Sequence, residues 1–200
     1  LGHGRAVPDS GAASSHGAIT RYTKGHQVLD GFCFSGGFGI AAAKNGGATH
    51  SLGIDSSQAA LDLAVANAEL NGVRDRCSFQ KGDVKVVLRQ LADQGRVFDT
   101  VILDPPRMAR TRGGLDRAIR GYVKMNLQGL NVLSPGGILV TCSCSGLVSR
   151  QQFQGIVAEV SRQSGRHIRI LEIYGQPDDH PVSAVCPETE YLKVCICRVS

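Results

Sequence analysis

The residues that could do chemistry in this 200-residue chain gather in a few short stretches. Asp30, Asp55 and Asp83 each stand at or just after a run that reads as a β-strand, and each is followed by the start of a helix. In sheets of alternating β and α, ligands lie outside the carboxyl ends of the strands. An acid in that place can simply cap a helix, but three in register are better read as one site. Between Asp30 and its helix lies Gly31-Phe32-Cys33-Phe34-Ser35-Gly36-Gly37-Phe38-Gly39. Its glycines permit positive φ and close backbone approach, and the helix N-terminus behind them favours a negative group such as a carboxylate. Asp55 is placed to accept both hydroxyls of a ribose, and Asp83 to take an adenine amino hydrogen.

A second set of residues surrounds the next two strand ends. Asp104-Pro105-Pro106 cannot continue a central strand, so it forms a stiff lip with one carboxylate. Thr141-Cys142-Ser143-Cys144-Ser145-Gly146 places two thiols at a Gly/Ser turn. A cysteine in such a turn is accessible and its thiolate can be a nucleophile. Cys142 reads as a buried strand residue and Cys144 as the exposed one. Gly37–Ala42 also fits the dinucleotide pattern G-x-G-x-x-A, but Gly37 comes seven residues after Asp30 instead of directly after the strand. Asp30 would moreover face a pyrophosphate. A cofactor with a cationic centre and no phosphate suits the acids better, and S-adenosylmethionine has a sulfonium, an ammonium, a carboxylate and an adenosine.

The elements that must position these residues alternate. Strands are expected at 27–30, 50–55, 77–80, 98–103, 138–142, 167–173 and 191–199. Helices are expected at 37–44, 56–70, 84–91, 115–133 and 149–164, the last opened by a Ser149/Gln152 capping box. Asn45-Gly46-Gly47 and Asn71-Gly72 stop two helices, and Ser134-Pro135-Gly136-Gly137 reads as a turn. Buried-looking strands between helices make a mostly parallel sheet with helices on both faces, and the last two strands can pair antiparallel. Residues 1–27 read as a loop-rich extension with a short element near 19–22, and residues 28–200 as one α/β domain. The chain opens at Leu1, which is expected of a processed, truncated or excised piece.

Composition removes several classes. Hydrophobic residues are 42% and charged residues 20%, too apolar for a disordered polyelectrolyte. No run is long enough to span a bilayer and no secretory signal is visible. Seven cysteines without such a signal point to reduced thiols in the cytoplasm. The C-x-C spacings of Cys142/Cys144 and Cys195/Cys197 are not those of zinc sites, so no metal is expected. The net charge is +5, and the stretch 105–125 alone, with six cations against Asp116, accounts for all of it. Arg107, Arg110, Arg112, Arg120 and Lys124 therefore mark a surface for a polyanion.

Taken together the stretches resemble the ribosomal RNA large subunit methyltransferase I-like family, class I S-adenosylmethionine-dependent enzymes that form 5-methylcytosine. The resemblance is carried by VLDGFCFSGGFG (28–39), GIDSSQAALDLAVANAELNG (53–72), GDV (82–84), FDTVILDPPR (98–107), RGYVKMNLQGLNVLSPGGILVTCSCSG (120–146), DDHPV (178–182) and PETEYLK (187–193). It implies a Rossmann-like, seven-stranded, mostly parallel sheet with an antiparallel last strand. It implies that Asp30, Phe34, Ser35, Gly36, Gly37, Asp55, Ser56, Asp83 and Val84 hold S-adenosylmethionine. Cys144 would be the nucleophile and Asp104 its partner on the base edge. Ribosomal RNA would be the partner, a homodimer stays open, and a separate N-terminal RNA-binding domain of the PUA type would lie outside these residues. Two departures stand out: Met108 where many members carry Phe, and Ala6-Val7-Pro8-Asp9-Ser10-Gly11 in place of an aromatic–Leu-Asp-Gln-Arg segment. Other readings are a methyltransferase acting on nitrogen, which needs no cysteine, and a non-catalytic RNA-binding module. His180 reads as a structural loop residue.

Overall fold

The computed structural model describes residues 15–109, 111–176, 182–186 and 189–200. Arg110 and His180 lie outside the described residues, as do Asp9 and most of the 178–182 stretch. The chain opens on helix α1 (Ser15–Ile19) and a 3-10 turn at Thr20–Tyr22, then alternates through β1 (Gln27–Gly31), α2 (Gly37–Lys44), β2 (His50–Asp55), α3 (Gln58–Leu70) and β3 (Cys77–Lys81). It continues with α4 (Val84–Asp93), β4 (Phe98–Leu103), α5 (Leu115–Leu130), β5 (Leu133–Ser143), α6 (Arg150–Ser164), β6 (Ile168–Tyr174) and β7 (Lys193–Val199).

The seven strands form one sheet in the order β3-β2-β1-β4-β5-β7-β6. β1 to β5 are mutually parallel, and β7 enters between β5 and β6 antiparallel to both. The first five strands therefore end on one rim. The order reverses between β1 and β4, and that switch point opens a crevice at their carboxyl ends.

The period-two alternation of the strands sorts their side chains onto two cores. Val101 and Leu103 of β4 join the core beneath α4, α5 and α6, whereas Ile102 joins the opposite core beneath α1 and α2. On β7, Cys195 and Cys197 face the first core while Val194 and Ile196 face the second, so this C-x-C pair is plain apolar packing. On α6, Phe153, Ile156, Val157 and Val160 are the buried face, matching the helical spacing in the sequence. The expected capping box is present, with Ser149 accepting from Gln152 and the Gln152 side chain accepting from the Ser149 N–H.

The structure moves several of the expected boundaries, α4 running on to Asp93 among them. α5 stops at Leu130, three residues short of the expected end, because β5 already begins at Leu133. There Leu133 pairs with Phe98, and the Ser134–Gly137 turn is absorbed as an irregularity before pairing resumes at Thr100 with Ile138. α3 starts at Gln58, since Ser57 accepts from the Ala60 N–H and so caps the helix from outside it. The last strand begins at Lys193 rather than at 191. Near the N-terminus, α1 buries Ala18 and Ile19 in the core beneath α2. The 3-10 turn is tied to β6 by Arg21 and Tyr22, both bonded to Glu172.

Candidate active site

The rim is built from the strand ends. Gly31 pairs with Ile54 and Leu103, and Leu103 pairs with Thr141, so the ends of β1, β2, β4 and β5 stand level. The Asp104 N–H donates to Gly31 O at 3.3 Å, which fixes the Asp-Pro-Pro lip against the end of β1.

Asp30 lies below the rim with 1% of its surface exposed. Its Oδ2 accepts from the Gly39 N–H at 2.9 Å, in the first turn of α2, while Oδ1 is buried without a partner among the described residues. A Cβ on Gly39 would overlap Ser51 Oγ and press on Asp30, so only glycine lets the helix come this close. Burial raises the Asp30 carboxyl to about 7, with Asp104 and Asp55 adding to the rise and the Gly39 bond opposing it.

The loop between Gly31 and α2 is under backbone strain. Phe32 and Phe34 have φ of 63° and 47°, and Gly36 has 82°. For a bulky residue this region costs of order 1–2 kcal/mol. The loop is held by Cys33 N–H to Ile54 O (3.0 Å), Gly36 N–H to Cys33 O (2.7 Å) and Phe34 N–H to Asp55 Oδ2 (3.0 Å). The result is an apolar ring, Phe34, standing 65% exposed beside Asp55. Asp55 Oδ1 also accepts from the Ser57 N–H at 2.9 Å. Each carboxylate oxygen thus has one backbone donor and one lone pair left for a hydroxyl.

The remaining expected cofactor residues fall around this loop with different exposures. Ser35 is half-buried and its carbonyl accepts from Asn67 Nδ2; Gly37 opens α2 under His16, which stacks on Phe38 at 4.1 Å between ring centroids. Ser56 is exposed. Asp83 is exposed and caps α4, accepting from the Lys85 and Val86 N–H groups. Val84 is packed in the core against Gly31, so its side chain is no part of the rim surface.

The residues fit S-adenosylmethionine on three counts. The buried Asp30 Oδ1 lacks a donor, which an ammonium would supply. Asp55 has lone pairs for two hydroxyls. Gly37 opens an eight-residue helix, at whose N-terminus a carboxylate is favoured.

Across the switch point, the two thiols part. Cys142 is 1% exposed in the core beneath α2, and burial holds its thiol well above the ordinary range. Cys144 follows the end of β5, half-buried, with its sulfur 3.7 Å from Pro105 O on the lip. Its neighbours Ser143 and Ser145 are both fully buried and bonded inward: Ser143 Oγ donates to Tyr122 Oη (2.9 Å), and Ser145 Oγ lies 3.2 Å from the same hydroxyl. Ser145 Oγ also accepts from the Ala109 N–H at 3.2 Å, and its carbonyl accepts from Lys193 Nζ at 2.7 Å. The turn is thereby pinned on both sides of the cysteine. Burial, then the Asp104 carboxylate, push the Cys144 thiol up, while Arg107 and Lys193 pull it down. Burial also raises Asp104 to about 6.

Arg107 just after the lip, Arg112 in a 3-10 turn at Arg112–Gly114, and Arg120 and Lys124 on α5 are all exposed, and none is ion-paired among the described residues. A groove of about 410 Å³ beside them is lined by Lys85, Met108, Thr111, Gly114, Arg117 and Gly121. Lys85, Tyr122, Ser143, Ser145 and Lys193 did not stand out as site residues in the sequence; for Lys193 the only signal was its place at the end of the PETEYLK stretch. Among the described residues no three His, Cys, Asp or Glu side chains converge as a metal site would need, and no helix is long and apolar enough to cross a membrane.

The sequence profile of the family described as a methyltransferase domain matches residues 22–182. The chain is 44% identical over 182 residues to the ribosomal RNA large subunit methyltransferase I of Aeromonas hydrophila, covering 90% of this chain and 46% of that protein. It is 42% identical over 186 residues to the protein of the same name from Photobacterium profundum, covering 92% and 47%. The chain therefore spans about half the length of these relatives. Among solved structures, a methyltransferase complexed with SAH superposes with a TM-score of 0.80 at 23% identity (92% of this chain, 48% of that one). A SAM-dependent methyltransferase from Streptococcus mutans gives 0.79 at 22% identity (92% and 47%). The sheet and its flanking helices are those expected of the class I fold.

Proposed function

The chain belongs to the methyltransferase-domain family, and from that premise we propose that it methylates C5 of a cytosine in large-subunit ribosomal RNA, with Cys144 as nucleophile. The relatives named above act as the source of the RNA assignment. The observation that carries the chemistry is the placement of Cys144: half-open at the end of β5, its sulfur against the Asp104-Pro105 lip, between two serines that are bonded inward. A nitrogen-directed enzyme has no use for that thiol.

S-adenosylmethionine, held by Asp30, Phe34, Ser35, Gly36, Gly37, Asp55, Ser56, Asp83 and the backbone of Val84, supplies an electrophilic methyl group. Cytosine C5 is a poor nucleophile until the Cys144 thiolate adds to C6. Asp104, whose burial keeps a proton on the carboxyl to about pH 6, donates it to N3 as the ring accepts the electron pair. C5 is then an enamine carbon and can take the methyl. The C5 proton passes to water, the C6–S bond breaks, and Asp104 recovers the proton from N3. The base must leave its stack to reach the rim. Arg107, Arg110, Arg112, Arg120 and Lys124 hold the flanking phosphates. On this reading the catalytic domain is residues 28–200, with the helical residues 15–22 packed onto it, and the chain works in the cytoplasm.

RNA carrying 5-fluorocytosine tests the nucleophile, because fluorine at C5 cannot leave as a proton and the adduct persists. Wild type and Cys142→Ala should both form a covalent complex on a denaturing gel, and Cys144→Ala should form none. Trapping by Cys144→Ala but not by Cys142→Ala would hand the role to the buried thiol.

A further inference from the structure

Lys193 is the one fully buried lysine side chain among the described residues, with 1% of its surface exposed. It opens β7 directly opposite Ser143 of β5. Its ammonium donates to two carbonyls, Ser145 O at 2.7 Å and Tyr191 O at 3.0 Å. Among the described residues no carboxylate pairs with it; Glu190, three positions before it in the chain, is engaged by Arg150 at 2.7 Å. A buried cation is costly, and the residue next to its carbonyl partner Ser145 that can become an anion is Cys144.

We propose that Lys193 is a positioning residue for Cys144: its ammonium holds the carbonyl that follows the cysteine and is the counter-ion of the Cys144 thiolate. The proposal rests on the reading of Cys144 as nucleophile and adds a device that offsets part of the burial and of the Asp104 charge that push its thiol up. The thiol ionises by giving its proton to water at its half-open side. The carbonyl clamp keeps the ammonium one residue away from the sulfur.

The charged groups around the pair are few. Asp104 opposes ionisation of Cys144, whereas Arg107 and Lys193 favour it. Lys193 is itself drawn toward its neutral form by burial, and by the cations Arg107 and Arg150, while Glu190 and Cys144 favour the charged form. The Tyr122 hydroxyl, also near Cys144, is raised by burial and stays neutral. Of these, Lys193 alone is both a buried cation and bonded to the turn that carries the sulfur.

The test needs no RNA and no turnover. The rate of iodoacetamide alkylation of Cys144 is followed by mass spectrometry of its peptide from pH 6.5 to 11.5, with the exposed Cys186 read in the same digest. Lys193→Met keeps the volume and removes the charge; it should move the Cys144 midpoint up by a full pH unit or more, a tenfold loss of rate below the midpoint. Lys193→Arg should move it by less than half as much, and Cys186 should not move in either variant. An unmoved Cys144 midpoint in Lys193→Met, or an equal shift in Lys193→Arg, overturns the proposal. Should Lys193→Met not fold, the wild-type lysine side-chain carbon resonances provide the second measurement. The Lys193 signal should step at the pH where Cys144 ionises and lose that step in Cys144→Ser; a signal without the step overturns it equally. A normal alkylation result with no 5-fluorocytosine adduct would instead count against the cytosine reading.

Discussion

Replacing Asp30 by Asn exchanges a buried carboxyl for an amide of the same shape and removes one proton equilibrium from folding. In the folded chain burial raises this group from 3.8 to about 7. Between those two pH values the folded chain holds a proton that the unfolded chain has released, so stability falls as pH rises through that window and levels off above it. About three pH units at about 1.4 kcal/mol each give roughly 4 kcal/mol as the full span. For a chain of this size that is on the order of 10 °C in melting temperature. The assay is calorimetric unfolding of wild type and Asp30→Asn from pH 4.5 to 8. Asp104 titrates in the same direction, and His16, whose pKa burial lowers, in the opposite one; both are common to the two proteins, so the difference in melting temperature isolates Asp30. Asp30→Asn should gain on wild type steadily up to pH 7 and run parallel to it beyond. A difference that stays constant across the range would refute the buried-carboxyl argument.

Other expectations follow from the same geometry. Asp55→Ala should weaken S-adenosylhomocysteine binding at least tenfold by calorimetry, since it removes the acceptor left for ribose hydroxyls and the anchor of the Phe34 N–H; unchanged affinity would end the ribose assignment. In wild type that affinity should rise from pH 6 to 8 as Asp30 ionises against the ligand's ammonium. Gly36 and Gly95 share a left-handed φ, but a Cβ on Gly36 would meet Ile40 at 3.0 Å whereas Gly95 stands in open space. Urea unfolding should therefore show about 1 kcal/mol lost in Gly95→Ala from strain alone, and measurably more in Gly36→Ala. Tyr122→Phe leaves Ser143 and Ser145 without their shared partner and should cost about 1–3 kcal/mol; a neutral result would mean the serines re-pair. Each of Arg107, Arg112, Arg120 and Lys124 replaced by Gln should flatten the log–log salt dependence of RNA binding by about 0.7; an unchanged slope removes that residue from the interface.

What could be read from the sequence was whatever depends on near neighbours along the chain. Two-residue alternation separated Cys195 and Cys197 from Val194 and Ile196, and the Ser149–Gln152 spacing wrote the start of α6, because strand and helix periodicity are local properties. The acids at the ends of β1 and β2 and the lip after β4 could be placed for the same reason, once strands and helices alternated. The Ser134–Gly137 turn misled, since Leu133 finds Phe98 across the sheet and starts the strand before the turn. Only the folded chain decided which contacts the rim makes. Lys193 reaches Ser145 across 48 positions and Ser143 reaches Tyr122 across 21. Those meetings depend on strand order and register, which no local pattern encodes. The same holds for the depth of Asp30: its residue type and position were legible, but the loss of water that keeps its proton comes from α2 and the neighbouring strands closing over it.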